Sequence, residues 1–157
     1  MFSFFRSSPK TTSQAYFSPG ETCLNAIISG INKVQRSLKI CVFTISDDRI
    51  TRAILQAHRK GVQVKILTDN EKLFDKGSDI RELAQAGVPV RIDNSPNHMH
   101  HKFAILDDKT VLTGSYNWTR SAALYNHENL ITSGDTNLVK DFGREFDRLW
   151  AEMVPFK

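Results

Sequence analysis

The sequence is poor in the features that define several common protein classes. Its 157 residues include only two cysteines, Cys23 and Cys41, which excludes a disulfide framework or zinc finger and favours two small buried side chains. No apolar run approaches the roughly 20 residues of a membrane-spanning helix, and Met1–Arg6 lacks the basic and apolar regions of a signal peptide. No internal repeat is visible. What remains is enough apolar sequence for one compact domain.

The charge balance is modestly basic. The chain has 21 Lys and Arg against 17 Asp and Glu, which gives a formal net charge of +4 at pH 7. A positive surface suits a polyanionic partner, so the charge indicates nucleic acid or an anionic membrane surface. Because many basic proteins bind neither, the charge supports a function without assigning one.

The order of segments predicts one α/β domain. Residues 1–14 are polar and irregular and are expected to form a flexible arm, and residues 15–157 are expected to form the domain. Strand-like and helix-like segments then alternate, which predicts a layered α/β fold with a mixed, largely parallel sheet flanked by helices. Ser18 to Glu21 has the spacing of a helix capping box. Residues 101–113 read as a hairpin, and residues 136–153 as an amphipathic final helix.

One segment carries a dense pattern of chemically active residues. Written as a pattern, it is H-x-K-x4-D-x6-G-S-x-N, and its fixed positions are His100, Lys102, Asp107, Gly114, Ser115 and Asn117. This pattern is the signature of the phospholipase D superfamily, and Glu128 falls where that superfamily places a downstream acidic residue. The sequence around it most resembles the short members with a single motif, the bacterial Nuc-type endonuclease and the mitochondrial phospholipase D-like subgroup called Zucchini.

The residue types of the motif suit attack on a phosphodiester. In a strand over residues 100–106, alternation puts His100 and Lys102 on one face, where a neutral imidazole is a nucleophile beside a cation that holds the anion. Asn117 and Ser115 are expected to donate hydrogen bonds to phosphate oxygens, and Gly114 to let the backbone approach closely. Glu128 is expected to accept a hydrogen bond from the far ring nitrogen of His100.

Other charged residues are assigned supporting roles. Strand parity places Asp107 on the opposite face from His100, at a turn, so it is predicted to bond backbone or a basic neighbour rather than substrate. Lys72, Lys76 and Arg81 are candidates to line a groove for phosphates, and they read equally well as scattered surface charges.

No metal site and no cofactor are predicted. His98, His100 and His101 are dense enough to suggest a metal site, but no cysteine ligand or H-E-x-x-H spacing accompanies them, and alternation separates His100 from His101. The superfamily resemblance implies a metal-independent reaction.

The resemblance also implies a reaction that uses two histidines. One attacks phosphorus to give a phosphohistidine, and the other protonates the leaving oxygen and then activates water. Since this chain has one copy of the motif and no internal repeat, a two-fold homodimer is expected to supply the second histidine.

The substrate is left open between three alternatives. The first expectation is an endonuclease of low sequence specificity that favours single strands, because of the basic charge and the Nuc-like motif. The alternative is a hydrolase of an anionic phospholipid such as cardiolipin, which would dock on a membrane through Phe2, Phe4, Phe5 or Leu73-Phe74. A third alternative is an inactive binding module, against which the complete motif argues.

Overall fold

The computed structural model describes residues 12–157 as one sheet with helices on both faces. β1 starts at Ser13, so most of the predicted arm lies outside the described residues. The strands are β1 (Ser13–Ser18), β2 (Ser37–Val42), β3 (Gln63–Thr68), β4 (Val90–Ile92), β5 (Lys102–Leu106), β6 (Thr110–Gly114), β7 (Glu128–Ser133) and β8 (Val154–Pro155). The helices are α1 (Thr22–Lys33), α2 (Asp48–Arg59), α3 (Ile80–Gln85), α4 (Arg120–Leu124) and α5 (Thr136–Glu152), with a 3-10 turn at Glu71–Phe74.

The sheet has eight strands in the order β1-β7-β6-β5-β2-β3-β4-β8. The pairs β2–β3 and β3–β4 are parallel. The pairs β1–β7, β2–β5, β4–β8, β5–β6 and β6–β7 are antiparallel. The mixed α/β fold is therefore confirmed, but the expectation of a largely parallel sheet is corrected to a mostly antiparallel one. Strand–helix alternation makes parallel neighbours only between β2 and β4, because the later strands return as hairpins and long-range pairs.

Two apolar cores lie on the two faces of the sheet. Alternation along β2 and β5 divides their side chains, so that Leu38 and Ala104 face the larger core while Cys41 and Phe103 face the smaller one. Helices α1 and α2 cover the larger core. α5 covers the smaller core with Val139, Phe146 and Leu149, and Met153 joins them directly after the helix. The predicted final helix is confirmed within one residue of its expected end, and its apolar face is confirmed except for Leu138, which is exposed.

The directions of the strands bring several of their ends together. β1, β2, β3 and β6 end at the edge of the sheet where β5 and β7 begin. This edge, here called the site edge, therefore receives residues from six strands. The hairpin turn between β5 and β6 lies at the opposite edge, as the predicted hairpin over residues 101–113 requires. Within residues 12–157, no helix is long and apolar enough to cross a membrane.

The predicted capping box at the start of α1 is wrong. The residue before α1 is Glu21, and no side chain caps the helix. Ser18 instead bonds across the sheet, since its Oγ donates to the Asn126 carbonyl at 2.8 Å and accepts from the Glu128 backbone N–H at 3.2 Å. Ser18 thus anchors the start of β7 at the site edge.

Candidate active site

The start of β5, at the site edge, places His100 beside Lys102. The Lys102 Nζ lies 3.1 Å from His100 Nδ1 and 2.7 Å from the His100 carbonyl oxygen. β5 begins at Lys102, and the His101 carbonyl still accepts from the Phe43 backbone N–H, so extended pairing continues before the strand. The two side chains share one face, as strand parity predicts. His100 is exposed at this edge, while Lys102 is only 8% exposed.

The contact between these two groups fixes where the imidazole carries its proton. An ammonium group has no acceptor capacity, so Lys102 Nζ donates and His100 Nδ1 accepts. In the neutral ring the proton then lies on Nε2. If Nε2 is the attacking nitrogen, this proton must first move to Nδ1. A hydrogen-bond acceptor must then replace Lys102 as the partner of Nδ1.

The surroundings lower the pKa of both groups. Partial burial and the neighbouring ammonium of Lys102 lower the pKa of His100, which favours the neutral imidazole that attack needs. Burial also lowers the pKa of Lys102, and the carboxylate of Glu128 opposes that shift. The pair therefore combines an uncharged nucleophile with a cation that few water molecules reach.

Ser115 and Gly114 lie where β6 leaves the sheet. The backbone N–H groups of Ser115 and Tyr116 both donate to the Asn129 carbonyl, at 3.1 and 3.2 Å. A Cβ at Gly114 would overlap that same carbonyl and the backbone of Leu130. Glycine is thus required by the close approach of β6 to β7, whereas the sequence interpretation assigned it to the approach of a phosphate.

Glu128 does not bond to His100 within this chain. Its Oε2 accepts the Ser115 hydroxyl, and its Oε1 accepts the Asn126 side-chain amide at 3.2 Å. The expected hydrogen bond to the far nitrogen of His100 is therefore corrected for a single subunit. Ser18 and Ser115 hold the start of β7, where Glu128 lies.

Asn117 reaches the site edge with unused bonding capacity. Its side-chain oxygen is buried and has no hydrogen-bond partner among the described residues. The next residue, Trp118, is buried and bridges to Ile45, which holds this segment against the end of β2. A buried polar atom without a partner is uncommon in a folded chain and is typical of a group that bonds to something else.

Asp107 lies at the opposite edge, in the turn between β5 and β6. Its carboxylate accepts the backbone N–H groups of Gln35, Arg36 and Ser37 at 2.7 to 3.0 Å. Burial would raise the pKa of Asp107, but these bonds outweigh burial and hold the pKa below its usual range. Asp107 thus ties the hairpin turn to the start of β2, at the opposite edge of the sheet from His100 and Lys102.

The three candidate phosphate-binding cations contact different parts of the molecule. Lys72 pairs with Asp75 at 2.8 Å and lies 5.5 Å from the centre of the Phe43 ring, which also contacts His100. Lys76 is exposed. Arg81 stacks over Phe74 and lines a separate cleft of about 290 Å³. The structure therefore brings Lys72 to the motif residues and leaves Arg81 at another site.

Asp69, Glu71 and His98 form a cluster that the sequence interpretation missed. Their ligand atoms lie within 4.8 Å of one another, and His98 Nδ1 is 3.6 Å from each carboxylate. Two carboxylates and an imidazole are a set that a divalent cation accepts. The carboxylate of Asp69 also accepts the backbone N–H groups of Glu71 and Met99. The two acidic residues follow β3, so only the fold reveals their proximity to His98.

Residues 27–150 match the family described as "Cardiolipin synthase, PLD-like domain", where PLD is phospholipase D. This range spans more than half of the chain and contains the complete motif and Glu128. The chain belongs to the phospholipase D superfamily. The predicted family is thus confirmed.

Relatives within the superfamily come from several groups of organisms. A "Mitochondrial cardiolipin hydrolase" of Xenopus laevis is 50% identical over 121 residues, which are 77% of this chain and 58% of that protein. The Homo sapiens protein of the same name is 38% identical over 138 residues, 88% of this chain and 55% of its own length. A "Phospholipase D" of Rickettsia prowazekii is 39% identical over 126 residues, which are 80% of this chain and 62% of that protein. The chain spans about three fifths of the length of the curated relatives it matches.

Solved structures of superfamily members confirm the fold. The phospholipase D family member Nuc from Salmonella typhimurium aligns with a TM-score of 0.87 at 27% identity, covering 94% of this chain and 99% of Nuc. NucT from Helicobacter pylori aligns with a TM-score of 0.85 at 29% identity, covering 94% of this chain and 100% of NucT. The expected resemblance to both the Nuc and the mitochondrial subgroups of the superfamily is confirmed.

Proposed function

We propose that this chain is a phosphodiesterase in which His100 attacks phosphorus. The observation that carries the proposal is the contact between His100 and Lys102, 3.1 Å apart at the open site edge. The pair offers a nucleophilic nitrogen next to a cation for the phosphate oxygens. Asn117 lies at the same edge, where its side-chain amide can donate to a phosphate oxygen, whereas the Ser115 hydroxyl donates to Glu128 within this chain.

The proposed reaction has two steps. The lone pair of an imidazole nitrogen of His100 forms a bond to phosphorus while the bond from phosphorus to the leaving oxygen breaks, and an acid protonates that oxygen. Water then attacks the phosphohistidine, the bond from nitrogen to phosphorus breaks, and a base takes the proton from water. The substrate phosphate competes for Lys102 and thereby frees His100 Nδ1 in the first step.

A second copy of the chain completes the site in this proposal. One subunit offers a single motif histidine, and within residues 12–157 no carboxylate accepts a hydrogen bond from His100. A two-fold axis through the site edge would bring a second His100 as the acid and a second Glu128 as the acceptor. We expect a mass of twice 17.8 kDa in solution, and an active monomer at dilute concentration would contradict the dimer.

An anionic phospholipid is the substrate class that the observations favour. The Xenopus laevis and Homo sapiens relatives, at 50% and 38% identity, are named mitochondrial cardiolipin hydrolase. Apolar side chains are also exposed at the site edge: Phe17 by 64%, Leu124 by 54% and Tyr125 by 75%. They flank the start of β7, where Glu128 lies, and exposed apolar groups beside a site suit docking on a lipid surface. This reverses the order of substrates expected from the sequence.

Nucleic acid is the second candidate substrate. The fold aligns over 94% of the chain with Nuc and NucT, and the net charge is +4. A basic chain with a narrow shared site suits a single-stranded polyanion. We propose no element within residues 12–157 that recognises particular bases, so any cleavage of nucleic acid is expected to have low sequence specificity.

One experiment separates the substrates. The protein is incubated, both with and without excess EDTA, with vesicles containing cardiolipin, with labelled single-stranded DNA and with labelled RNA, and the His100→Asn variant is the control for each. Release of phosphatidic acid by the wild type alone supports the lipid hydrolase. Cutting of nucleic acid alone supports the nuclease, and turnover of none of the three contradicts the phosphodiesterase. Activity that EDTA removes would assign a role to Asp69, Glu71 and His98.

A further inference from the structure

We propose that Phe43 is a positioning residue that holds Lys102 beside His100. The inference rests on the phosphodiesterase function and adds a residue outside the superfamily pattern. Phe43 directly follows β2. Because it extends the apolar run of that strand, the sequence predicts only that it packs in the core.

The backbone of Phe43 is fixed on both sides. Its N–H donates to the His101 carbonyl at 2.9 Å, and its carbonyl accepts the Thr68 hydroxyl at 3.1 Å. These bonds tie it to the residues before β5 and to the end of β3. The ring is therefore placed at the site edge by three neighbouring strands, and its position does not depend on substrate.

The ring contacts both members of the motif pair. Its centre lies 4.8 Å from the centre of the His100 ring, tilted by 55°, and 5.3 Å from Lys102 Nζ. Both distances are within the range of favourable aromatic and cation–π contacts. A single side chain thus bounds the nucleophile and the cation together.

A ring is a suitable neighbour for a cation that must bind phosphate. Within the described part of the chain, both hydrogen bonds of Lys102 Nζ go to His100, and none goes to a carboxylate. A carboxylate at this place would neutralise the ammonium and compete with the phosphate. The face of Phe43 attracts the ammonium through its quadrupole without neutralising it, so the positive charge and the third N–H donor stay available to the substrate.

Core packing does not account for Phe43. Its ring belongs to neither of the two apolar cores of the described domain, and the residue is only half-buried. Its other neighbours are also polar groups, since the His98 ring stands edge-on at 5.5 Å and Lys72 Nζ lies at 5.5 Å from its centre. A phenylalanine surrounded by two imidazoles and two ammonium groups has a role in holding those groups.

The test compares two phenylalanines replaced by leucine. Phe43→Leu removes the ring at the pair, and Phe142→Leu removes a partly buried ring from the core under α5, where it contacts Phe103 at 4.9 Å. The substrate is bis(p-nitrophenyl) phosphate, which needs neither a membrane nor a nucleic-acid groove. We expect kcat to fall about tenfold in Phe43→Leu with KM changed less than threefold, because one cation–π contact is lost. Phe43→Tyr should restore kcat, and Phe142→Leu should leave it within twofold.

A second measurement does not depend on turnover. Nuclear magnetic resonance of the Lys102 ammonium reports its proton exchange with water, which should be faster in Phe43→Leu than in wild type, Phe43→Tyr and Phe142→Leu. Equal kcat and equal exchange in Phe43→Leu and Phe142→Leu would overturn the role of Phe43. An inactive wild type with faster exchange in Phe43→Leu alone would refute the proposed function and support the positioning of Lys102.

Discussion

The two edges of the sheet differ in how far one chain satisfies its polar groups. At the hairpin edge, the carboxylate of Asp107 accepts three backbone N–H groups from the start of β2 and the two residues before it. At the site edge, the Asn117 side-chain oxygen has no partner among the described residues, and His100 Nδ1 is held only by a cation. Both edges carry residues of one motif. The difference indicates that Asp107 stabilises the subunit, and it agrees with the proposal that substrate and a second copy complete the site edge.

This comparison separates stability from activity. A change at the hairpin edge should alter the free energy of unfolding and spare turnover, because its contacts are all internal. A change at the site edge should do the reverse, because its groups are exposed or incompletely bonded. Variants at the two edges therefore test whether the motif has two distinct functions.

The largest effect is expected for His100→Asn. Removal of the nucleophile should lower turnover at least about 10⁴-fold, as in other enzymes that form covalent intermediates. The melting temperature should stay within about 2 °C, because the imidazole is exposed and its loss leaves no cavity. Single-turnover cleavage and thermal unfolding measure the two quantities. Turnover above about 1% of wild type would remove His100 from the role of nucleophile.

A smaller effect on stability is expected for Asp107→Asn. The amide retains one oxygen acceptor but loses the charge, so the free energy of unfolding should fall by about 2 kcal/mol, which lowers the melting temperature by roughly 4–8 °C. Asp108→Asn is the matched control, since both residues have φ of 53°, which asparagine tolerates, and Asp108 reaches only Lys39 at 3.8 Å. Turnover per folded molecule should be unchanged in both variants.

A loss of turnover in Asp107→Asn without a loss of stability would contradict this division of roles. It would mean that the turn between β5 and β6 controls the position of β5 at the site edge. Equal melting temperatures for the variants of Asp107 and Asp108 would also contradict it, because the three backbone bonds belong to Asp107 alone.

Local patterns predicted the elements, whereas long-range pairing decided the sheet and part of the site. The hairpin over residues 101–113 and the helix α5 follow from turn residues and from helical periodicity. The mostly antiparallel pairing depends on β1 meeting β7 and β5 meeting β2, contacts between distant segments that no local pattern encodes. The capping box failed for the same reason, because Ser18 bonds to the segment before β7.

Within the candidate site, the sequence predicted only those contacts that follow from the alternation of side chains along a strand. The contact of His100 with Lys102 follows from a spacing of two residues in extended backbone. The expected bond from Glu128 to His100 needed the relative placement of β5 and β7, and there Ser115 and Asn126 bind the carboxylate instead. The sequence did not predict the position of Phe43 between Lys72 and Lys102, because an apolar residue after an apolar strand is expected to pack in the core.

The smallest effect is the pH dependence that Asp107 adds to stability. The three backbone bonds hold the pKa of Asp107 below its usual range. A carboxyl group whose pKa is lower in the folded state stabilises the fold fully above its unfolded pKa of about 3.9, and this contribution is lost as the pH falls through the folded pKa. The difference in unfolding free energy between wild type and Asp107→Asn should therefore be constant from pH 7 to about pH 5 and should shrink below about pH 4. Urea unfolding across this range measures it, and a difference that grows on acidification would show that the charge of Asp107 does not stabilise the hairpin edge.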